Sequence, residues 1–243
     1  MSQATMPQAL LSTVVEQKTM SQALLPTVVE ELVVDAQQKL TPHPSSRSIF
    51  KRFLDIVGSL VGLLILALVF VPVAVAIKLE SPGPIFYSQE RYGLQGRTFR
   101  IRKFRSMVKN ADALKSQVTN EVSGLLFKNQ KDPRVTRVGR FLRSTSLDEI
   151  PQFWNVLVGE MSLVGTRPPT GDEVAQYNER HWQRLNVKPG LTGEWQVNGR
   201  SSVKDFEEVV NLDLRYQRNW YPLYDVVLII RTIYVIFAKV GAC

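Results

Sequence analysis

The chain of 243 residues is long enough for one medium-sized domain with appendages, and its single cysteine, Cys243, excludes an internal disulfide framework. A formal net charge of +8 calls for an anionic partner: nucleic acid, a phosphate-bearing substrate or an acidic membrane face. The basic excess lies downstream of residue 46, because the preceding stretch sets Lys18 and Lys39 against Glu16, Glu30, Glu31 and Asp35.

Residues 1–48 read as an N-terminal tail. The string MPQALLSTVVEQ at 6–17 returns as MSQALLPTVVEE at 20–31. Two copies are too few for a solenoid, which needs about three to bury a shared face. Pro7, Pro26, Pro42 and Pro44, with the serines near 45–48, argue for weak helices or disorder, as a passive tail or a peptide that a partner binds. The first 30 residues lack the basic start, single apolar core and small-residue cleavage site of a secretory signal.

From Ile56 to Ile77 the chain carries no charge. At about 1.5 Å per residue an unbroken helix over this run reaches roughly 33 Å, about one bilayer core. Lys and Arg gather at short cytoplasmic flanks, so a single span should be basic mainly on one side. Here Arg47, Lys51 and Arg52 precede the run, and Lys78, Arg91, Arg97 and Arg100 follow it. Pro72 removes a backbone donor and clashes with the carbonyl four residues back, which bends a helix. The basic flanks favour a helix that enters one leaflet and returns over a simple kinked span. The expected organisation is a tail at 1–48, a re-entrant membrane helix at 49–80 and a cytosolic domain at 81–243.

Downstream, β-prone runs at 85–92 and 97–104 flank Gly93-Leu94-Gln95-Gly96 and predict a hairpin. Residues 107–127 read as a mostly polar helix. In 149–158, Ile150, Phe153, Trp154, Leu157 and Val158 form a stripe on one helix face. Residues 203–218 read as helix, and 222–239 as a last apolar helix for the core or the membrane interface.

His43 and His181 have no cysteine or second histidine beside them, which makes a zinc site unexpected, and no GxxxxGK[ST] phosphate loop is present. Asp148 and Glu149 stand out, adjacent acids between Arg143 and Arg167. One could attack phosphorus while the other holds a divalent cation, with the arginines on phosphate oxygens. The same string, Ser146-Leu147-Asp148-Glu149, also fits a capping box that merely starts a helix. Spacing alone leaves both readings open.

The ordered strings KRFLD (51–55), SPGPIFYSQERYG (81–93), FRIRKFRSM (99–107), RSTSLDEIPQFWNVLVGEMSLVGTRPP (143–169), VKPGLTGEWQVNGR (187–200) and LDLRYQRNW (212–220) together resemble the bacterial sugar transferase family, the monotopic polyprenyl-phosphate phosphoglycosyl transferases, over about residues 49–243. The resemblance implies that Asp148 attacks the sugar-linked phosphate of a UDP-sugar, releases UMP and forms a phosphosugar-aspartyl intermediate. Undecaprenyl or another polyprenyl phosphate then takes the phosphosugar, the first membrane step of exopolysaccharide or other surface glycan assembly. It further implies that Glu149 binds Mg²⁺, and that Lys103, Arg143, Arg167, Arg200 and Asp213 contact substrate. The expected fold is α+β, predominantly helical, with the re-entrant helix and one β-hairpin. The implied location is the cytoplasmic face of the bacterial inner membrane, with membrane lipid and no nucleic acid as partners.

Departures from the family pattern are Val71 where many relatives have Ser before the proline, Glu194 within the GEWQ string, and a C-terminal Gly-Ala-Cys. Only 48 residues precede the anchor, the expectation for a short form. The rival classes are a nucleic-acid-binding protein, which has no need of a membrane segment, and a membrane scaffold that keeps the fold without turnover.

Overall fold

The computed structural model describes residues 42–122, 124–127, 129, 131–199, 203 and 205–238. The repeat at 6–31 and Arg200 therefore lie outside the described residues. At the start of the described chain, Pro44–Arg47 forms a 3-10 turn with Ser45 buried, and His43 N–H donates to the Asn186 carbonyl at 2.9 Å.

Helix α1, Ile49–Glu80, begins where the Ser48 hydroxyl accepts from Lys51 N–H, the usual way to satisfy an orphan amide of a first turn. It continues as one helix through Pro72. Among the described residues it is the one helix long and apolar enough to cross a membrane. Its outer face leaves Phe53, Leu60, Leu64, Leu68, Val71, Val75 and Leu79 exposed, a continuous apolar strip of the kind that marks a membrane or partner contact.

The inner face is tied down along its length. Lys51 Nζ is buried and pairs with Asp225 at 2.8 Å, and it also donates to the Val164 carbonyl at 2.7 Å. Arg52 donates to the carbonyls of Val156 and Leu157 at 2.9 and 2.7 Å, so a cation caps the C-terminal end of a neighbouring helix, where the dipole favours it. Asp55 accepts from Ser162 Oγ and Leu163 N–H, both at 2.8 Å. At the far end Glu80 accepts from the backbone N–H groups of Arg137 and Val138 at 2.6 and 2.8 Å and caps helix α2, Arg137–Ser144. First and last turns of α1 thus grip one folded body.

Strands β1, Phe86–Tyr92, and β2, Thr98–Phe104, form the antiparallel hairpin the sequence predicts, joined by a 3-10 turn at Leu94–Gly96. The register pairs Tyr87 with Lys103 and Arg91 with Phe99 on one face, and Ser88 with Arg102 and Glu90 with Arg100 on the other. Fully buried Asn155 closes the free edge of β2: its Oδ1 accepts from Arg102 N–H at 3.2 Å and its Nδ2 donates to the Arg100 carbonyl at 2.8 Å.

Three local expectations need correction. Residues 107–127 do not form a helix; among those described they are turns with a short 3-10 segment at Lys115–Gln117. A mostly polar stretch has no apolar stripe to bury, and tertiary packing supplies most helix stability. The block at 149–158 is split into a 3-10 turn, Leu147–Gln152, and a short helix α3, Phe153–Val158. Of its apolar stripe, Trp154 and Val158 are exposed and Phe153 leans on Gly62 of α1, while Gln152, Asn155 and Val156 are buried. A second small sheet, unforeseen in the sequence, pairs β3, Ser162–Val164, in parallel with β4, Gly190–Thr192.

The remaining helices are α4, Gly171–Val174; α5, Glu179–Trp182; α6, Glu194–Val197; α7, Phe206–Asn219; and α8, Pro222–Phe237. The last two follow the predicted segments closely. The largest core packs Tyr92, Val174, Tyr177, Trp182, Leu185 and Phe206 with the inner face of α7. A second joins Val73 and Ile77 of α1 to Phe104 and Leu142. The outer side of α8 leaves Leu223, Ile230, Ile233 and Tyr234 exposed.

Candidate active site

The acid pair sits where three elements meet. Helix α2 ends at Ser144, and Ser146 then takes a left-handed conformation, φ 57°, which turns the chain into Leu147–Gln152. Ser146 makes no side-chain cap bond there, so the capping-box reading of this string does not describe the structure. Pro151 lies inside this turn just ahead of helix α3, and its missing N–H removes one backbone donor there. Asp148 in this turn is buried, while Glu149 is partly open.

Lys103 reaches the turn from the end of β2, with Nζ 2.8 Å from Glu149 Oε1. Arg143, in the last turn of α2, donates from Nε to Ser106 Oγ at 2.9 Å, just beyond β2. The fold therefore brings Lys103, Arg143, Asp148 and Glu149 to one place. Gly139 makes this possible: α2 lies so close to the Ser106 backbone that a Cβ there would collide with its carbonyl.

Arg167 belongs to an adjoining cluster. Its guanidinium grips Glu173 through both nitrogens, at 2.8 and 3.1 Å, and its carbonyl accepts from Arg184 Nη2 at 3.3 Å. Burial works against the Glu173 carboxylate, yet Arg167 outweighs it and holds that group below its usual range. Asp213 is fully interior, with Oδ2 2.8 Å from Arg184 Nε and 2.7 Å from Nη2. Its place is behind Arg167, held by Arg184. Trp195 lies against the Arg167 guanidinium, 6.0 Å from ring centroid to carbon.

Sequence reasoning passed over Arg91. It shares a hairpin face with Lys103, donates to the Pro168 carbonyl at 3.0 Å and to Gln89 Oε1 at 2.7 Å, and lies within the fields of Arg167, Glu173 and Glu149. Burial, and then Arg167, pull its guanidinium down to about 10. The signal was present in SQERYG, where Arg91 is two residues from Gln89 on one strand face. Arg184, Glu173 and Tyr177 carried none, because their partners are distant in sequence or lie in irregular chain.

Among the described residues no group of three or more His, Cys, Asp or Glu could cage a metal ion by protein ligands alone. The donor set at the turn is oxygen-only, one buried and one partly open carboxylate. That fits Mg²⁺, which is commonly held by one or two carboxylates together with substrate phosphates.

Comparison with known proteins places the chain. Residues 46–239 match the family model described as bacterial sugar transferase. The chain is 48% identical over 199 residues to galactosyl transferase CpsE of Streptococcus agalactiae serotype III (strain NEM316), covering 81% of this chain and 44% of that protein. It is 40% identical over 210 residues to the UDP-glucose:undecaprenyl-phosphate glucose-1-phosphate transferase of Escherichia coli (strain K12), covering 83% and 43%. With exopolysaccharide production protein ExoY of Sinorhizobium fredii (strain NBRC 101917 / NGR234) it shares 39% over 191 residues, covering 76% and 84%. The chain spans less than half the length of the first two relatives and most of the third. It belongs to the bacterial sugar transferase family.

Proposed function

We propose that this member of the bacterial sugar transferase family is an enzyme that moves a sugar-1-phosphate from a UDP-sugar to a polyprenyl phosphate at a membrane surface, at the start of exopolysaccharide or related glycan assembly. The observation that carries the reading is the buried Asp148 beside Glu149, with Lys103 on the second acid and Arg143 bonded to Ser106 just beyond the same strand. The printed activities of the relatives support it in kind.

In this reading Asp148 is the nucleophile. Its carboxylate oxygen bonds to the sugar-linked phosphorus as the bond to the UMP oxygen breaks, and UMP leaves with that electron pair. An oxygen of the acceptor phosphate then attacks the same phosphorus, and the aspartyl–phosphorus bond breaks to regenerate Asp148. A covalent intermediate lets a soluble donor and a lipid acceptor use one site in turn. An anion attacking a phosphate diester is repelled unless cations offset the charge, and Lys103, Arg143 and Arg167 supply that offset. Arg200 joins them on the strength of its motif. Asp213, locked to Arg184 behind Arg167, acts as a positioning residue. Mg²⁺, held by Glu149 and the donor's diphosphate oxygens when bound, would neutralise charge on the leaving UMP.

In this reading α1, with its exposed strip as support, enters one leaflet with both ends on the cytoplasmic side of the inner membrane. Purified protein incubated with a panel of UDP-sugars and Mg²⁺, without acceptor, should gain the mass of one phosphosugar and release UMP. Asp148→Asn should do neither. An adduct that persists in Asp148→Asn removes the nucleophile assignment. No adduct and no UMP with any donor would favour a membrane scaffold without turnover.

A further inference from the structure

Helix α2 is eight residues long, too short to hold its shape alone in water, so its place depends on what fastens its ends. The first four N–H groups of a helix have no partner inside it. In α2 the Thr136 N–H donates to the Ser106 carbonyl at 3.2 Å, and the Gly139 N–H donates to the Thr136 hydroxyl at 2.9 Å. The two between them, Arg137 and Val138, donate to Glu80 of another helix, one amide to each carboxylate oxygen. A forked contact of this kind fixes direction as well as distance, and the charge suits the positive end of α2. On the order of 9 Å further along α2, Arg143 Nε donates to Ser106 Oγ.

A second fastening runs beside the first. Arg105, buried and next to Ser106, donates to the Ser81 and Pro82 carbonyls at 2.6 and 2.8 Å, immediately after Glu80. Gly83, φ 131°, makes room for it: a Cβ there would lie 2.3 Å from Arg105 Nη1. The contacts close a ring from Glu80 to α2, from α2 to Ser106, and through Arg105 to Ser81 and Pro82. Arg143 and the hydroxyl it meets are thereby both fastened to the last turn of α1.

Glu80 is exposed and has no part in the chemistry described above. We propose that it is a positioning residue for the transfer: its hold on the first turn of α2, set against the Arg105 clamp, fixes where Arg143 meets the donor's phosphates. Glu80 acts through Arg143 and does not touch the substrate. Misplacing a group at a reaction centre by about 1 Å can cost about a hundredfold in rate, so a tie remote from the acid pair has leverage on turnover. The proposal rests on the transferase reading for the part that Arg143 plays.

The test is a double-mutant cycle on single-turnover UMP release by the full chain in nanodiscs, using the UDP-sugar that labels the unmodified protein. Glu80→Ala should slow release about tenfold or more in the unmodified background, and by less than about twofold once Arg143→Ala is present. Equal slowing in both backgrounds overturns the proposal, because Glu80 would then serve stability alone. An unchanged rate in Glu80→Ala overturns it as well. Adding Arg137→Asp to Glu80→Ala returns a carboxylate to the start of α2 without the link to α1. That pair should recover the melting temperature and leave the rate low; recovery of both would make Glu80 a local helix charge and overturn the positioning role. Amide hydrogen exchange reads the tie with no donor present: Glu80→Ala should speed exchange at Arg137, Val138 and Thr136, whose N–H meets Ser106. Absence of UMP release by the unmodified protein would end the transferase reading separately, and unchanged exchange in Glu80→Ala would overturn the tie itself.

Discussion

Lys103 Nζ stands 2.8 Å from Glu149 Oε1, which ties the end of the hairpin to the turn that carries the acid pair. Both side chains are about a quarter exposed, at 27%, so the pair adds little to stability, about 0.2–1 kcal/mol. Its significance is electrostatic: the end of β2 delivers a cation to the turn that, in the proposed reaction, holds the donor's phosphate.

Lys103→Ala should therefore separate activity from stability. We expect UMP release to fall about a hundredfold or more, the order seen when one stabilising donor is removed from a reaction centre, with unfolding free energy changed by less than about 1 kcal/mol. Glu149→Gln should instead shift the Mg²⁺ concentration needed for half-maximal rate. Steady-state UMP assays across a Mg²⁺ titration, beside thermal melts, decide both. An unchanged Mg²⁺ titration would remove Glu149 from metal binding.

The Lys51–Asp225 pair predicts the opposite pattern. Side-chain exposures of 5% and 2%, with Tyr216 hydroxyl 2.8 Å from Asp225 Oδ1, make it an interior network that joins α1 to α8. Removing one partner strands the other charge, so Lys51→Ala or Asp225→Asn should cost about 3–5 kcal/mol. The double variant Lys51→Met with Asp225→Leu should recover much of that loss. Denaturant unfolding of the three variants in one detergent measures it. Single variants as stable as the parent would mean that the pair carries no structural weight.

Gly139→Ala tests the close approach of α2 to β2. The new methyl group meets the Ser106 carbonyl, a backbone atom that cannot rotate away. Overpacking of this kind costs about 1–3 kcal/mol, and here it also lifts Arg143 from Ser106. Melting temperature and UMP release should both fall; a fall in neither would show that the contact relaxes without consequence.

Acid should unlock the loop before α2. Hydrogen bonding to Arg134 holds the Asp132 carboxyl below its ordinary range, through contacts of 2.7–3.2 Å from Nε and Nη2. A carboxylate depressed in the folded state stabilises above its unfolded value, about 3.9, and that contribution is lost as pH falls through the lower folded value. Asp132→Asn should cost about 3 kcal/mol near pH 7, and its gap from the parent should narrow below about pH 4. Thermal melts from pH 7 to pH 2.5 give the curve. A constant gap would place the effect elsewhere.

The anchor's topology is open to direct labelling. In a Cys243→Ser background, Ser12→Cys and Lys109→Cys should both resist a membrane-impermeant maleimide in intact cells and react after permeabilisation. Labelling of one alone before permeabilisation would make α1 a span.

Much of the fold was legible because it rests on local patterns. The uncharged run gave α1, β-prone runs flanking Gly93-Leu94-Gln95-Gly96 gave the hairpin, and the segments 203–218 and 222–239, the second of them apolar, gave α7 and α8. The stripe in 149–158 was legible as residues on one face, but the direction of that face was not, and neither was the break between the 3-10 turn and the short helix. An amphipathic pattern says that a helix has an apolar face, and only packing says whether that face meets the core, a neighbouring helix or the surroundings. The polar stretch at 107–127 failed for the converse reason: nothing local forbade a helix, and nothing tertiary stabilised one.

The sequence by itself determined the chemistry on offer: adjacent acids among arginines, an apolar anchor and the ordered strings that mark the family. Tertiary structure decided which of those charges meet. Lys103 and Glu149 are brought together by the hairpin, Asp213 is drawn behind Arg167 by Arg184, and Arg100 and Arg102 are turned to the far side of the same strand. The physical reason is that charge–charge contacts form between elements distant along the chain. Their geometry depends on register and helix packing, which no local window of sequence contains.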